Sequence, residues 1–361
     1  MKVVAARVTP VRLRFMQPVR TAQGEFAERT SVLLELRDGD GVAGFGEAAP
    51  WPGFGTEGAE HAEAKLRGAA SLLSGFELEP GAWPPALDER LRDAPAARAA
   101  VQGALWDLAA RRAGRPLAEY LAARLTGRCG DVLRLVRVSA LLVAREPDTL
   151  RAEASRVRAL GHRAAKLKLG AASLADDVAR ASAAREGLGP DIRLRGDANG
   201  AWDRREALIA LDALAEFNLD YVEQPVKAED IAGLAALRGR TPVRVAADES
   251  VATEAGARRL LEAGAADVVI LKPATLCGPA RALEIAAQAR QAGVDVVFSH
   301  TFESAVGARH VLHCAAAWGD PSAIHGLGTA GLFATDVAAP VACRAGLAEV
   351  SSGASGLGIT P

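Results

Sequence analysis

A repeated unit constrains this chain more than any other feature. From about Leu133 onward, short apolar runs alternate with Ala-rich amphipathic stretches, and several runs end in a charged residue. Eight runs read as strands, at 133–143, 164–169, 192–197, 219–223, 243–247, 267–271, 295–299 and 323–327. Helical periodicity fills stretches between them, at 175–187, 204–216, 254–263, 279–292 and 304–317. Strict alternation of strand and helix builds right-handed parallel units, because a twisted strand feeding a right-handed helix packs back onto the sheet in that sense. Eight such units close into a barrel. An open doubly wound sheet would carry a glycine-rich phosphate turn after its first strand, and the segment SALLVAREP (139–147) has none. Little helical pattern follows Leu327. The expected class is therefore α/β, a modified (β/α)8 barrel of (β/α)7β type.

The first third is built differently. Residues 1–15 and 30–37 read as strands, DGDG at 38–41 as a hairpin turn, and 42–48 as the returning strand. A Pro/Gly/aromatic loop follows at 49–58, then helical patterns at 59–75 and 94–113, the second stopped by RRAGRP (111–116). The expected organisation is an N-terminal α+β capping domain over 1–125, completed by the returning tail 329–361, and a barrel over 126–328.

Composition excludes several classes. The 43 Lys and Arg balance 44 Asp and Glu, for a net charge of −1, which leaves no electrostatic footprint for nucleic acid. No 18-residue apolar run is free of charge, so no membrane span is expected. The N-terminus lacks the apolar core and cleavage site of a signal peptide. Cys129, Cys277, Cys314 and Cys343 show neither CxxC nor finger-like spacing. Reduced, mostly packed thiols in a cytoplasmic protein are expected. The expected partner is a small-molecule carboxylate; oligomeric state is not legible, and a homo-oligomer remains open.

The strand ends carry the chemistry. Strand two ends in Lys166-Leu167-Lys168, strand three in Asp197-Ala198-Asn199, and strand four in Glu223-Gln224-Pro225. Strand five ends in Asp248-Glu249-Ser250 and strand six in Leu271-Lys272-Pro273. From Lys168 the successive spacings are 29, 26, 25 and 24 residues, one βα unit each, so these groups recur at one height on the C-terminal rim, where barrels of this kind keep their active sites. Three carboxylates in one volume, Asp197, Glu223 and Asp248, repel unless a cation neutralises them. Hard oxygen ligands suit Mg2+, with Mn2+ as substitute. Lys168 and Lys272 flank that arc, and each is placed to act as a base or as a cation facing developing negative charge. Lys166 and Arg195, two residues before Lys168 and Asp197, face the same interior; Lys166 is read as holding a substrate carboxylate and Arg195 as a substrate-anion or supporting group. Asn199 is read as tying the loop after strand three, and Glu249 as supporting a lysine. A metal-held carboxylate between two lysines suits removal of an α-proton, whose enediolate product needs that positive charge. A non-catalytic barrel would be expected to lack one of these groups, and none is missing.

This five-part set resembles the enolase superfamily, in its muconate-lactonizing subgroup. Within it the segments GEAAPWPGFGTEG (46–58), LKPATLCG (271–278), SHTFESAVG (299–307) and GLGTAGLFATD (326–336) resemble the o-succinylbenzoate synthase family. The resemblance implies Mg-dependent syn-dehydration of 2-succinyl-6-hydroxy-2,4-cyclohexadiene-1-carboxylate to 2-succinylbenzoate, a menaquinone-forming step. It implies Lys168 as the base that then protonates the departing hydroxyl, Lys272 as the charge partner, and Asp197, Glu223 and Asp248 as metal ligands. It also implies that Ser299, Thr301 and the Gly326 backbone line the succinyl pocket. His300, where that family often has a small residue, is read as packing. The rival is an N-acylamino acid racemase using Lys168 and Lys272 as paired bases. A dipeptide epimerase is disfavoured, because Gly326-Leu327-Gly328 stands where that family has Asp-x-Asp. A histidine-based acid-sugar dehydratase is disfavoured too, because Lys272 holds the strand-six position.

Overall fold

The computed structural model describes residues 2–21, 24–75, 77, 84–127, 132–351 and 353–360; Cys129 lies outside them. Three antiparallel strands, β1 (Val3–Thr21), β2 (Gly24–Asp38) and β3 (Ala43–Ala48), pair in chain order. The DGDG turn closes β2 onto β3, with Gly41 N–H donating to the Asp38 carbonyl at 3.1 Å. Along β2 the apolar positions alternate, so Val32, Leu34 and Leu36 bury against the helices Ala59–Leu73 and Pro95–Arg112. The helix Pro95–Arg112 lies directly on β3, and this is why Gly44 and Gly46 are glycines. A Cβ on Gly46 would stand 1.9 Å from the Ala100 carbonyl oxygen, and one on Gly44 2.4 Å from that of Ala104.

The remaining strands build the barrel. They are β4 (Leu135–Val138), β5 (Ala140–Leu142), β6 (Ala164–Lys168), β7 (Arg193–Asp197), β8 (Leu219–Glu223), β9 (Val245–Ala247), β10 (Val268–Leu271), β11 (Asp295–Phe298) and β12 (Ile324–His325). From β5 to β11 they form a seven-stranded sheet in strict chain order, and every pair is parallel. The short β12 closes the gap. It pairs with β4 on one side, and on the other Ser299 bridges Gly326, whose N–H donates to the Phe298 carbonyl at 2.8 Å. All eight expected strands are present, with one difference. The first is split at Ser139, because β5 pairs with β6 while β4 turns to β12 and the tail, and the Ser139 N–H donates to the His325 carbonyl at 2.9 Å. Tyr221, Ala246, Val268, Ile270 and Val297 form a buried apolar cluster; each lies two or four residues before a rim residue of its strand, so these side chains fill the barrel beneath the rim.

The tail returns in two places. Phe333 bridges Phe15 of β1, and Ala334 N–H donates to the Arg14 carbonyl at 2.8 Å. Farther on, β13 (Cys343–Arg344) and β14 (Leu347–Glu349) form a hairpin, and β14 pairs antiparallel with β4. Sequence patterning alone did not reveal this hairpin, which is only two and three residues long on its arms. Among the described residues no helix is long and apolar enough to cross a membrane.

Candidate active site

The sheet register sets the rim. Lys168 is paired with Asp197, and Asp197 with Glu223, so these three side chains leave their strands at one level. Asp248 and Lys272 follow directly after β9 and β10. Asp248 is held by Gln224, a residue that sequence reasoning left without a role. The Gln224 backbone is left-handed (φ 43°), and its buried Oε1 accepts from the N–H groups of Asp248 (3.0 Å) and Ser250 (3.1 Å). Its Nε2 donates to the Val226 carbonyl (2.9 Å) and to Ser250 Oγ (2.8 Å). The sequence signal for this was no more than an amide side chain between Glu223 and Pro225.

The carboxylates are buried: Asp197, Glu223 and Asp248 are 1%, 2% and 3% exposed. Lysines meet them. Lys166 Nζ lies 2.8 Å from Asp197 Oδ2 and 3.2 Å from Glu223 Oε1. Lys168 Nζ donates to the same Asp197 oxygen and to Asn199 Oδ1, both at 2.6 Å. Lys272 Nζ donates to Asp248 Oδ1. Burial by itself would raise the Asp197 carboxyl, but Lys166 and Lys168 hold it far below the usual range. Burial and the neighbouring Asp197 charge push Glu223 up to about 8. Burial also raises Asp248, outweighing Lys272 beside it. Burial would lower the Lys166 ammonium, yet the charges of Asp197, Glu223 and Asp248 drive it well above its ordinary value. Burial thus works against the ionised forms of Glu223 and Asp248 even with three lysines present.

Among the described residues no three acidic, imidazole or thiol groups are drawn together tightly enough to chelate an ion. The ammonium of Lys166 lies between Asp197 and Glu223 and meets both carboxylates. Three buried carboxylates, Asp197, Glu223 and Asp248, supply hard oxygen donors that fit Mg2+ or Mn2+ in chemistry.

The two flanking lysines differ in surroundings. The Lys168 side chain is 39% exposed at the mouth, and Asn199 links it to Glu249, whose Oε1 accepts from Asn199 Nδ2 at 2.9 Å. Lys272 is 8% exposed, with the Phe54 ring face 4.1 Å from its Nζ. Ser299 and Gly326 lie side by side and half-buried at the rim; a Cβ on Gly326 would come within 2.5 Å of Ser299 Oγ. Thr301 is buried, 3% exposed, and its N–H donates to a Glu303 carboxylate oxygen. Arg195 carries two expected readings, substrate-anion group or supporting group. It points into the barrel as alternation requires, but one layer below the rim, where Nε donates to Asp220 (2.9 Å), Nη1 to the Ile324 carbonyl (2.8 Å), and the guanidinium covers the Tyr221 ring. With both edges engaged and 3% exposure, its contacts are those of a supporting group in the barrel wall. His300 is buried, its Nδ1 accepting from the Phe302 N–H and its Nε2 paired with Thr329 Oγ1, so it joins the loops after β11 and β12.

The cap reaches the barrel through Glu47. Its carboxylate accepts from the N–H groups of Ser304 (3.0 Å) and Gly307 (2.9 Å) and from Ser304 Oγ, at the start of the helix Ala305–Trp318. Beside it, Trp51 packs against Phe26 and Phe302 with the Arg29 guanidinium over its ring.

Residues 3–122 match the family described as mandelate racemase / muconate lactonizing enzyme, N-terminal domain, and residues 149–361 match enolase C-terminal domain-like. The chain is 30% identical to a hydrophobic dipeptide epimerase of Enterococcus faecalis, over 88% of each protein. It is 34% identical to muconate cycloisomerase 1-2 of Acinetobacter lwoffii, over 85% of this chain and 79% of that one. It is 43% identical to an o-succinylbenzoate synthase of Mycolicibacterium smegmatis, over 56% of this chain and 60% of that one. A solved dipeptide epimerase from Enterococcus faecalis, complexed with Mg and the dipeptide L-Leu-L-Tyr, superimposes with a TM-score of 0.89 at 28% identity, over the whole of both chains.

Proposed function

The chain belongs to the enolase superfamily, and from that premise we propose that it is a carbon–oxygen lyase of the o-succinylbenzoate synthase type. In this reading the segment 1–125, joined at β1 by the Phe333 part of the tail, caps a catalytic barrel over 126–328, and the later tail hairpin β13–β14 extends the barrel strand β4. The observation that carries the proposal is the inequality of the two lysines. A reaction that removes a proton and a hydroxide from one face needs one mobile base. Lys168 is open to the mouth, whereas Lys272 is enclosed by Asp248 and Phe54. The 43% identity to an o-succinylbenzoate synthase supports the same choice.

Lys168 takes the C1 proton of 2-succinyl-6-hydroxy-2,4-cyclohexadiene-1-carboxylate and becomes an ammonium. The same proton then passes to the C6 hydroxyl as the C–O bond breaks, so water leaves, the ring aromatises, and the lysine returns to its starting form. Lys272 faces the negative charge that builds on the substrate carboxylate between these steps. Lys166 orients the carboxylate end, and Asn199 with Glu249 holds Lys168 in register. Asp197, Glu223 and Asp248 would hold Mg2+, or Mn2+ in its place, and the bound ion would supply charge stabilisation at the substrate carboxylate.

The rival, racemisation of N-acylamino acids, also has a structural argument, since Lys168 and Lys272 approach the carboxylate arc from opposite ends. One assay separates them. The cyclohexadiene carboxylate is offered with and without Mg2+, and ring aromatisation is followed. Metal-dependent turnover with kcat/KM of about 10⁴ M⁻¹s⁻¹ or more is the expected result. Absence of aromatisation, together with α-proton exchange into N-acylamino acids in D2O, would transfer the assignment to the racemase.

A further inference from the structure

Lys272 sits between two unlike surfaces. On one side its ammonium meets the Asp248 carboxylate; on the other it lies 4.1 Å from the centre of the Phe54 ring. An aromatic face is electron-rich, so it attracts a cation, and the attraction grows where water is excluded. The side chain of Lys272 is only 8% exposed. Lys168 has a different arrangement, with two oxygen acceptors, Asp197 and Asn199, and an open mouth.

Phe54 does not arrive there on a loose loop. It ends a single 3-10 turn, Pro52–Phe54, with Phe54 N–H donating to the Trp51 carbonyl at 2.8 Å and Gly55 N–H to the Pro52 carbonyl at 2.9 Å. Pro52 presets the turn, and Gly55 takes the left-handed conformation (φ 78°) that releases the chain afterwards. Both flanks are fastened. Before the turn, Trp51 is wedged between Phe26 and Phe302 at centroid distances of 5.2 and 5.7 Å. After it, the Glu57 carboxylate accepts from the N–H groups of Ala96 (3.0 Å) and Ala97 (2.7 Å) at the start of the helix Pro95–Arg112. A capping segment anchored on both sides thus delivers one ring to one lysine of the barrel.

We propose that Phe54 is a positioning residue for Lys272: its ring face fixes the ammonium at the rim, so that docking of the capping loop and placement of the lysine are a single event. The proposal rests on the reading of Lys272 as the group that faces developing substrate charge. It specifies a coupling between the two domains that the barrel residues alone do not contain. Phe54 acts only through Lys272 and needs no contact with substrate.

Two measurements test it. The first needs no substrate. Amide hydrogen exchange at Phe54 and Gly55 is followed in the full-length protein, in Lys272→Met, in Phe54→Leu and in the double variant. Each single change is expected to speed exchange about tenfold, the scale of a desolvated cation–π contact, and the double variant to add nothing further. Unchanged exchange in Lys272→Met, or additive effects in the double variant, would overturn the coupling. The second is kinetic, on whichever substrate of the preceding section turns over. Phe54→Leu should lower kcat about tenfold with KM within about twofold, and Phe54→Trp should restore it. Ring fluorination at position 54 should lower log kcat in proportion to the number of fluorines. A change confined to KM, or no response to fluorination, would make Phe54 a wall of the substrate pocket and defeat the proposal. Failure of the functional reading itself shows elsewhere, as turnover that survives Lys168→Ala.

Discussion

The two sides of the barrel mouth are built from the same kind of residue and reach opposite states. On the β6–β7 side a lysine stands half in solvent, shared between two oxygen acceptors. On the β10–β11 side a lysine is enclosed by a carboxylate and an aromatic ring. The barrel repeats its unit, but the cap does not. Its loop at 49–58 descends on Lys272, and Glu47 fastens the cap to the helix after β11. A symmetric scaffold becomes chemically asymmetric because a second domain covers one side of it.

The strongest way to break this comparison is to remove each lysine in turn. Lys168→Ala is expected to reduce turnover by about 10³-fold or more, and to abolish exchange of the substrate α-proton with D2O, at an unchanged melting temperature. Lys272→Ala should slow turnover while exchange persists. Equal loss of exchange in both variants would mean that the two sides act as paired bases.

The barrel floor is common to both sides, and Arg195 tests it. Arg195→Met leaves Asp220 and the Ile324 carbonyl without their donor. Chemical denaturation should show a loss of about 3 kcal/mol, with KM of the folded enzyme unchanged. A raised KM at full stability would restore Arg195 to the substrate.

Acid sharpens the contrast further, because the enclosed side also holds the buried histidines. His300 and His310 are lowered to about 4, and His313 and His325 to about 3, in each case first by burial. A neutral buried imidazole contributes stability that is intact above pH 6.5. It is lost as pH falls towards the folded value, because the unfolded chain binds the proton first. Other groups titrate in the same range, so a difference measurement is needed. His313 Nδ1 accepts from the Ala118 N–H, and the oxygen of Asn can replace it. Stability of His313→Asn, measured by urea unfolding between pH 6.5 and 4, should fall less steeply than wild type by about 1.4 kcal/mol per pH unit. Parallel curves would show that His313 does not titrate as described.

The smallest effect belongs to Asn199. Asn199→Ala removes one acceptor from Lys168 and leaves Asp197, so kcat should fall about tenfold with little change in KM. No change in kcat would leave Asn199 as a loop tie alone.

Much of this was legible in the residues themselves. Parallel barrel strands are nearly continuous apolar runs, and helices repeat every 3.6 residues, so the eight units and their order follow from local pattern. Side chains alternate along a strand, so spacing alone brings Lys168, Asp197, Glu223, Asp248 and Lys272 to one rim. The same alternation placed Arg195 inside the barrel but could not say at which layer its long side chain would stop. That depended on Asp220, Tyr221 and the Ile324 carbonyl, which come from other strands. What Gln224, Glu47 and Phe54 touch was illegible for a related reason. Each acts across a contact between segments 24 to more than 200 residues apart, and no local pattern encodes the distance. The sequence by itself thus determined the barrel, its cap and the charged groups of its rim, because periodicity and strand alternation are properties of the backbone. Only the tertiary structure decided which lysine is open and which is enclosed, because that depends on how one domain packs on the other.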